Sequence, residues 1–293
     1  MPNLKDLKNR IDSVKSTKKI TKAMQMVAAA KLRRAQEAAE NARPYAERFD
    51  AVMGQLAASV GDSETAPKLL RGTGKDDTHL LLVMTSEKGL CGGFNTNIVK
   101  KSIVRIKQSL NDGKTVKIIT VGKKGRDVLR RQYREHLIDH VDLSEVKRLG
   151  YGDAQDIARG VLERYDADEF DRCFIYYGEF ENVVSQHPRE QQVIPATFDK
   201  PEDDADAGQT LYDYEPGEEE ILADLLPRGV ATQIFAALLE NAASEQGARM
   251  TAMDNATRNA EDMVEDLNRE YNRTRQAVIT NELIEIISGA EAL

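Results

Sequence analysis

Apolar positions near both ends of the chain recur every three and four residues, whereas in the middle they gather into short solid runs. Between residues 4 and 60, alternating steps of three and four land on Leu4, Leu7, Ile11, Val14, Lys18, Thr21, Gln25, Ala28, Leu32, Ala35, Ala39, Ala42, Ala46, Phe49, Met53, Leu56 and Val60. Fourteen of these seventeen are apolar, which predicts one long coiled-coil helix. At a rise of ~1.5 Å per residue it would run roughly 85 Å, far more than a small domain is wide. Pro44 removes a backbone donor and predicts a local weakness or kink. The stepping resumes at Phe235 and continues through Leu239, Ala242, Gln246, Arg249, Met253, Ala256, Ala260, Met263, Leu267, Glu270, Thr274 and Ala277, with Pro227 and Gly229 punctuating its start. Nine of these thirteen are apolar, so a second long helix is expected. Joined through a middle domain, the two would lie antiparallel. Many seam positions are Ala, so the axes can approach closely while each Ala buries little surface.

Both helices depart from the seam at one place. Ile20, Ala23, Met24, Met26, Val27, Ala29 and Ala30 spread apolar character around most of the circumference, and so do Val278, Ile279, Leu283, Ile284, Ile286 and Ile287. A helix that is apolar all round must be enclosed on all sides. Two enclosures satisfy that condition: a bundle or cap made by this chain or its copies, and an apolar collar supplied by a partner. Antiparallel pairing would bring residues 20–30 near the C-terminal tip or part-way down from it.

The middle reads as a separate α/β unit. Short apolar runs at residues 79–84, 116–121 and 173–177 predict buried strands, separated by helical stretches at about 96–110, 123–133 and 153–164. That alternation predicts a parallel sheet built from βαβ units. A further strand at 192–197 is demoted towards an edge by Pro195. The expected organisation is an N-terminal helix over 1–60, a linker over 61–77, a central α/β domain over 78–198, an acidic linker over 199–217 and a C-terminal helix over 218–293. From residue 199 to 224 there are eleven acids and one lysine, the composition of a solvated loop.

Composition narrows the function classes. The chain has 293 residues, a net charge of −8, only 5% aromatics and no Trp. It has the composition of solvated long helices rather than of one large core. Cys91 and Cys173 are too few for a disulfide framework and lack metal-ligand spacing. No run approaches the roughly 18–20 apolar residues that cross a bilayer, and residues 1–6 resemble no secretory or transit peptide. A soluble intracellular protein is expected.

Two stretches are candidates for chemistry. The loop Thr85-Ser86-Glu87-Lys88-Gly89-Leu90-Cys91-Gly92-Gly93-Phe94-Asn95 lies between a strand and a helix, where a doubly wound fold places its phosphate loop. It matches neither GxGxxG nor GxxxxGK[ST], since Lys88 precedes the glycines, so a tight turn is the default reading. Cys91 has no His or Asn motif beside it. His79, His136, His140 and His187 form no metal-ligand helix motif; His136 and His140 are four apart, on a stretch that looks like strand. The other stretch is residues 1–34, which carry ten Lys and Arg against two acids. Nucleic acid would account for that charge, but the stretch has no stacking aromatics. An acidic protein collar accounts for the charge and the interleaved apolar residues together.

Three motifs then carry a resemblance that spans essentially the whole chain. Ile279-Thr280-Asn281-Glu282-Leu283-Ile284-Glu285-Ile286-Ile287-Ser288-Gly289-Ala290-Glu291-Ala292 resembles the signature of the F-type ATP synthase gamma subunit. Residues 11–31, above all Lys19-Ile20-Thr21-Lys22-Ala23-Met24, resemble that family's first helix, and residues 86–95 resemble its middle motif. The resemblance implies a central-stalk rotor of a proton-translocating synthase that carries no bond chemistry and no cofactor. Its coiled coil would stand inside a hexamer of alternating alpha and beta subunits, with its globular part on the epsilon subunit and the c-subunit ring. It further implies that Met24 lies close to a beta-subunit loop, that Arg275, Gln276 and Thr280 meet the sleeve, and that Ile20, Lys22 and Glu282 belong to the same contacts. No nucleic-acid partner is implied. The expected location is peripheral, on the cytoplasmic face of a bacterial inner membrane. The middle domain lacks the inserted cysteine pair of the chloroplast pattern, so thiol regulation is not expected. Two other classes remain: an α/β enzyme using residues 86–93, and a nucleic-acid-binding coiled coil.

Overall fold

In the computed structural model, which describes residues 3–60, 67–197 and 218–291, the two end segments are single helices. They are α1 (Leu4–Val60, 57 residues) and α6 (Glu218–Glu291, 74 residues). Both prolines lie inside helix, so neither Pro44 ends α1 nor does Pro227 start α6. Around Pro227 the buried Leu222, Leu226 and Val230 anchor the helix by packing, which outweighs one missing backbone donor. The chain divides by its contacts into two units, residues 1–29 with 249–293 and residues 30–248; α1 and α6 contribute to both.

In the first unit α1 and α6 run antiparallel. Leu7 and Ile11 are buried with Leu267, and Val14 and Tyr271 flank them. The polar seam positions pair across the interface: Lys18 Nζ with Glu261 at 2.6 Å, Thr21 with Thr257 at 2.7 Å, and Gln25 Nε2 donating to Asp254 at 2.9 Å. The residue numbers of each facing pair add to 278 or 279. On α1 the buried positions Leu7, Ile11, Thr21 and Ala28 follow the expected seam. On α6 the expected seam is out of phase after Met253. The buried positions are Met253, Thr257, Ala260 and Leu267, whereas Met263 is 51% exposed. Steps of three-then-four and of four-then-three share every seventh residue, so a sequence rich in Ala does not distinguish them.

The second unit holds β1 (Thr78–Met84), β2 (Thr115–Val121), β3 (Leu137–Val141), β4 (Arg172–Phe180) and β5 (Gln186–Ile194) in the order β3-β2-β1-β4-β5. The first four are parallel and β5 is antiparallel to β4. Between them lie α3 (Phe94–Asn111), α4 (Lys123–Gln132) and α5 (Tyr151–Asp166). Strand residues alternate between two cores. Leu80, Leu82, Ile175 and Tyr177 meet α5 and the α6 residues Val230, Ile234 and Leu238, while Leu81, Val83, Phe174 and Tyr176 meet α3 and α4. The sheet is therefore covered on both faces, as parallel strands require. β5 begins earlier than the pattern of residues 192–197 suggested, because its burial alternates weakly along an edge and Pro188 interrupts it.

Met53 and Leu56 of α1 pack on Leu222 and Leu226 of α6, and the Phe49 ring lies where a Cβ on Gly229 would come within 3.0 Å. Gly229 thus permits a close helix approach rather than marking a helix start. The stretch read as a linker contains the short helix α2 (Lys68–Arg71), whose Leu69 and Leu70 join this cluster and whose Leu69 carbonyl accepts from Ala196 N at 2.8 Å. Residues 61–66 of that stretch and the acidic stretch 199–217 lie outside the described residues. Contrary to expectation, α6 contains a window long and apolar enough to cross a membrane by length and composition, but half of it is buried within the protein.

Candidate functional site

The register of the helix pair decides which expected residues come together. Position 20 of α1 faces about position 258 of α6, and α1 begins at Leu4, so among the described residues α6 has no facing helix beyond about residue 275. Residues 279–287 therefore lie some twenty to thirty residues, roughly 30–45 Å, along α6 from the level of Ile20. The two apolar stretches are separate places, not one.

At the first, Thr21 and Ala28 are buried in the seam, Met24 is half-buried, and Ile20, Met26 and Val27 are 59%, 60% and 57% exposed. Lys22 donates to Gln25 Oε1 at 3.0 Å, Gln25 donates to Asp254, and Arg258 pairs with Asp254 at 2.8 Å. Lys22 is thus held by a polar line that crosses the helix pair. At the second place Arg275, Gln276, Thr280 and Glu282 are all exposed, and Thr280 Oγ1 donates back to the Gln276 carbonyl at 2.9 Å. Around them Ile279, Leu283, Ile284, Ile286 and Ile287 are 45–68% exposed. A two-turn run of five large aliphatic side chains in water is not a stable surface. Met26 and Val27 at the first place, and Leu283, Ile284, Ile286 and Ile287 at the second, are exposed beside the residues named from the sequence. Their signal was present, as large apolar residues off the seam, but only the structure shows that the other helix does not cover them.

The middle-motif loop is consumed by its own hydrogen bonds. Ser86 is buried, donates to the Lys88 carbonyl at 2.7 Å and accepts from Asn95 Nδ2 at 2.8 Å; that amide also points at Cys91 Sγ at 3.2 Å. Glu87 accepts from the backbone of Lys123 at 3.1 Å and of Leu143 at 2.8 Å, tying the loop to α4 and to the chain after β3. Gly122 has φ +91°, and a Cβ there would lie 2.1 Å from the Thr85 carbonyl oxygen, so no other residue fits. Leu90 projects from this loop, 61% exposed and with φ +65°. No sequence signal marked it. Its backbone is strained, which the surrounding bonds enforce.

A cavity of about 560 Å³ lies at the opposite, amino-terminal end of the strands, lined by Lys68, Arg71, Lys75, Asp77, Asp168 and Asp171 among others. Doubly wound sheets take ligands at the carboxyl ends. Its charges are also largely matched: Lys68 pairs with Asp168 at 2.6 Å, and Asp171 accepts from Thr73 and from the backbone of Asp77 and Thr78. Among the described residues no group of three or more His, Cys, Asp or Glu could hold a metal. Burial pushes the Cys173 thiol up to about 12, which makes it inert.

A polar-pinned helix pair with unsheathed apolar ends, attached to a doubly wound domain whose loop is spent on structure, defines a stalk-like interaction protein. The comparisons specify which. The ATP synthase family model matches residues 3–293. Over the full length of both chains, this one is 71% identical to the ATP synthase gamma chain of Dinoroseobacter shibae and 70% identical to that of Ruegeria pomeroyi. Among solved structures, a chain of the Tetrahymena thermophila mitochondrial ATP synthase central stalk and c-ring is 28% identical with a TM-score of 0.60, covering 81% of this chain and 99% of its own. A chain of the Euglena gracilis mitochondrial ATP synthase is 22% identical with a TM-score of 0.68, covering 99% of this chain and 94% of its own, and shares the fold. The chain belongs to the ATP synthase gamma-chain family. Within it, the chain is a non-catalytic stalk subunit.

Proposed function

We infer that this chain is the central rotor shaft of an ATP synthase, coupling rotation of an ion-driven ring to conformational cycling of catalytic beta subunits. One observation carries the reading beyond family membership: large apolar side chains stand exposed at two levels of a helix pair whose inner seam is already filled. Such surfaces are stable only inside a surrounding wall. The alpha and beta subunits of a catalytic hexamer would supply that wall, with Ile20, Lys22 and Met24 at one level and Arg275, Gln276, Thr280 and Glu282 at the other. The doubly wound domain would meet the epsilon subunit and the c-subunit ring. The chain would then sit peripherally on the cytoplasmic face of a bacterial inner membrane. Support for the partners comes from the solved relatives, one of which is a central stalk with its c-ring.

The test is ATP-driven proton pumping and subunit stoichiometry in complexes carrying Arg275→Ala or Gln276→Ala, beside Arg269→Ala, whose partners Glu265 and Asp266 are local and exposed. Loss of a charge-assisted contact shielded from water costs roughly 1.5–3 kcal/mol, against 0–1 for an exposed pair. The first two substitutions should slow pumping or weaken assembly, and the third should do neither. Equal behaviour of all three would remove this turn from the functional contacts.

A further inference from the structure

We propose that the outer face of α3 and α4 is a docking surface for the anionic phospholipid headgroups of a membrane. Between residues 94 and 136 there are twelve Lys and Arg against three acids, in a chain whose net charge is −8. Both helices lie on the same side of the sheet, and they use Phe94, Ile98, Ile106 and Leu129 to pack there. Their opposite faces are turned to solvent.

Part of this positive charge is spent inside the domain. Arg105 pairs with Glu190 at 3.4 Å and stacks on Phe174, Lys114 pairs with Asp76, and Lys117 pairs with Glu169 at 2.9 Å. Of the other nine, Lys101 donates to the Pro188 carbonyl at 2.8 Å, Lys124 is half-buried and Arg134 lies beyond α4, which leaves Lys100 and Lys107 on α3 with Lys123, Arg126, Arg130 and Arg131 on α4. All six are exposed, and none makes an ion pair among the described residues. Arg126 and Arg130 are one helical turn apart, where like charges repel. The C-terminal end of α4 accounts for Arg130 and Arg131, since cations are favoured there. Lys123 lies near the Asp142 carboxylate, and no ion pair among the described residues accounts for Lys100, Lys107 and Arg126.

The make-up of the face selects the occupant. Protein interface centres are enriched in aromatics and Arg and depleted of Lys, and half of the six cations here are Lys; single-stranded nucleic acid asks for stacking rings. Here the large exposed apolar side chains on the two helices are Val104, Leu110 and Val128, and Tyr133 is turned inward against the core. A headgroup surface requires neither rings nor shaped pockets, only several cations within a screening length of one another. The choice of lipid over another polyanion rests on the reading of the chain as a subunit working beside a membrane.

The experiment is sedimentation of the purified full chain with vesicles of phosphatidylcholine, with and without phosphatidylglycerol. The expected result is binding only to the anionic vesicles, falling steeply with salt. Combined Arg126→Glu, Arg130→Glu and Arg131→Glu should weaken it at least tenfold. Combined Lys8→Glu, Lys15→Glu and Lys19→Glu, on the basic start of α1, should weaken it less than the α4 variant does. Lys100→Gln with Lys107→Gln is a gentler variant, and circular dichroism checks folding of each. Loss of binding only in the α1 variant would overturn the proposal, as would tighter binding to duplex DNA than to anionic vesicles at equal salt. So would unchanged vesicle binding by an α4 variant that sheds a subunit from the assembled complex, which would make the face a site for an acidic protein. Rotation of the parent complex is read separately, so failure of the lipid site and failure of the rotor reading are distinct results.

Discussion

Two buried polar pairs carry opposite lessons about single residues. Thr21 and Thr257 meet at 2.7 Å in the seam, between the Lys18–Glu261 and Gln25–Asp254 pairs, and Thr257 also donates to the Met253 carbonyl. Replacing one hydroxyl removes the bond between the helices and leaves its partner only its own-helix carbonyl, Lys18 for Thr21 and Met253 for Thr257, while replacing both with an apolar group of the same shape removes the mismatch. Thr21→Val should therefore cost about 1 kcal/mol in urea unfolding of the isolated chain, and Thr21→Val with Thr257→Val should recover most of it. Additive losses would contradict the pairing. His79 is the other case. It is buried, its Nε2–H donates to Asp76 at 2.7 Å, and Nδ1 accepts from Ser109 at 3.0 Å. Burial lowers its pKa, only partly offset by Asp76, and the Lys114 and Arg105 charges push the same way. Burial raises the Asp76 carboxyl, but hydrogen bonds from Lys114 and His79 and the charge of Arg172 outweigh it and hold it at about 2. Both depressed values mean that the unfolded chain binds protons more readily, so acid weakens the fold. Stability should fall as pH drops below the ordinary His value of 6.5, and again between 3.8 and about 2 as Asp76 is protonated. Denaturant midpoints measured across pH check this, and His79→Gln should flatten the upper step while leaving most of the lower one, which Lys114 and Arg172 still support.

At the level of elements, the register predicts where α6 is held. Residues 253–271 lie against α1, whereas residues 276–291 have no facing helix among the described residues. An unsupported helix of about fifteen residues is marginal in water. In the isolated chain the amides of 276–291 should exchange orders of magnitude faster than those of 253–271, and assembly into the complex should slow them. Comparable protection of both segments in the free chain would contradict the register. Much of this architecture was legible in advance. Leu7, Ile11, Ala28 and Leu32 are buried where heptad stepping placed them, and the solid runs around Leu82, Ile119 and Ile175 are central strands. What stayed hidden has physical reasons. Proline signals a helix break only when packing does not override it, as it does at Pro227. The α6 seam slipped by one residue at Thr257 because both steppings share Met253, Ala260 and Leu267, and Ala256 beside Thr257 gives no contrast between them. The basic face of α3 and α4 was invisible because each charge alone reads as a solvated position; the sheet topology is what gathers them.

For the molecule as a working part, Met24 separates a residue that holds the chain together from one that meets a wall. It is half-buried, one turn from the exposed Ile20 and beside the Gln25–Asp254 bond. Met24→Lys should leave the melting temperature of the isolated chain within a few degrees of the parent, since the lysine head can reach water along its stem. In the complex the new charge should disturb coupling between ATP hydrolysis and proton pumping. A large fall in melting temperature with normal coupling would place Met24 in the chain's own seam. The role of the apolar stretches could be suspected from sequence, and the three motifs named the family, but the separation of the two levels needed the register. The central claim is that this chain turns inside its partners. The most direct measurement attaches a probe to its doubly wound domain in a surface-fixed complex with the alpha and beta subunits and follows single molecules as ATP is added. Stepwise rotation in one direction, slowed by Arg275→Ala, is the predicted result. A probe that stays still while the same complexes hydrolyse ATP would contradict it.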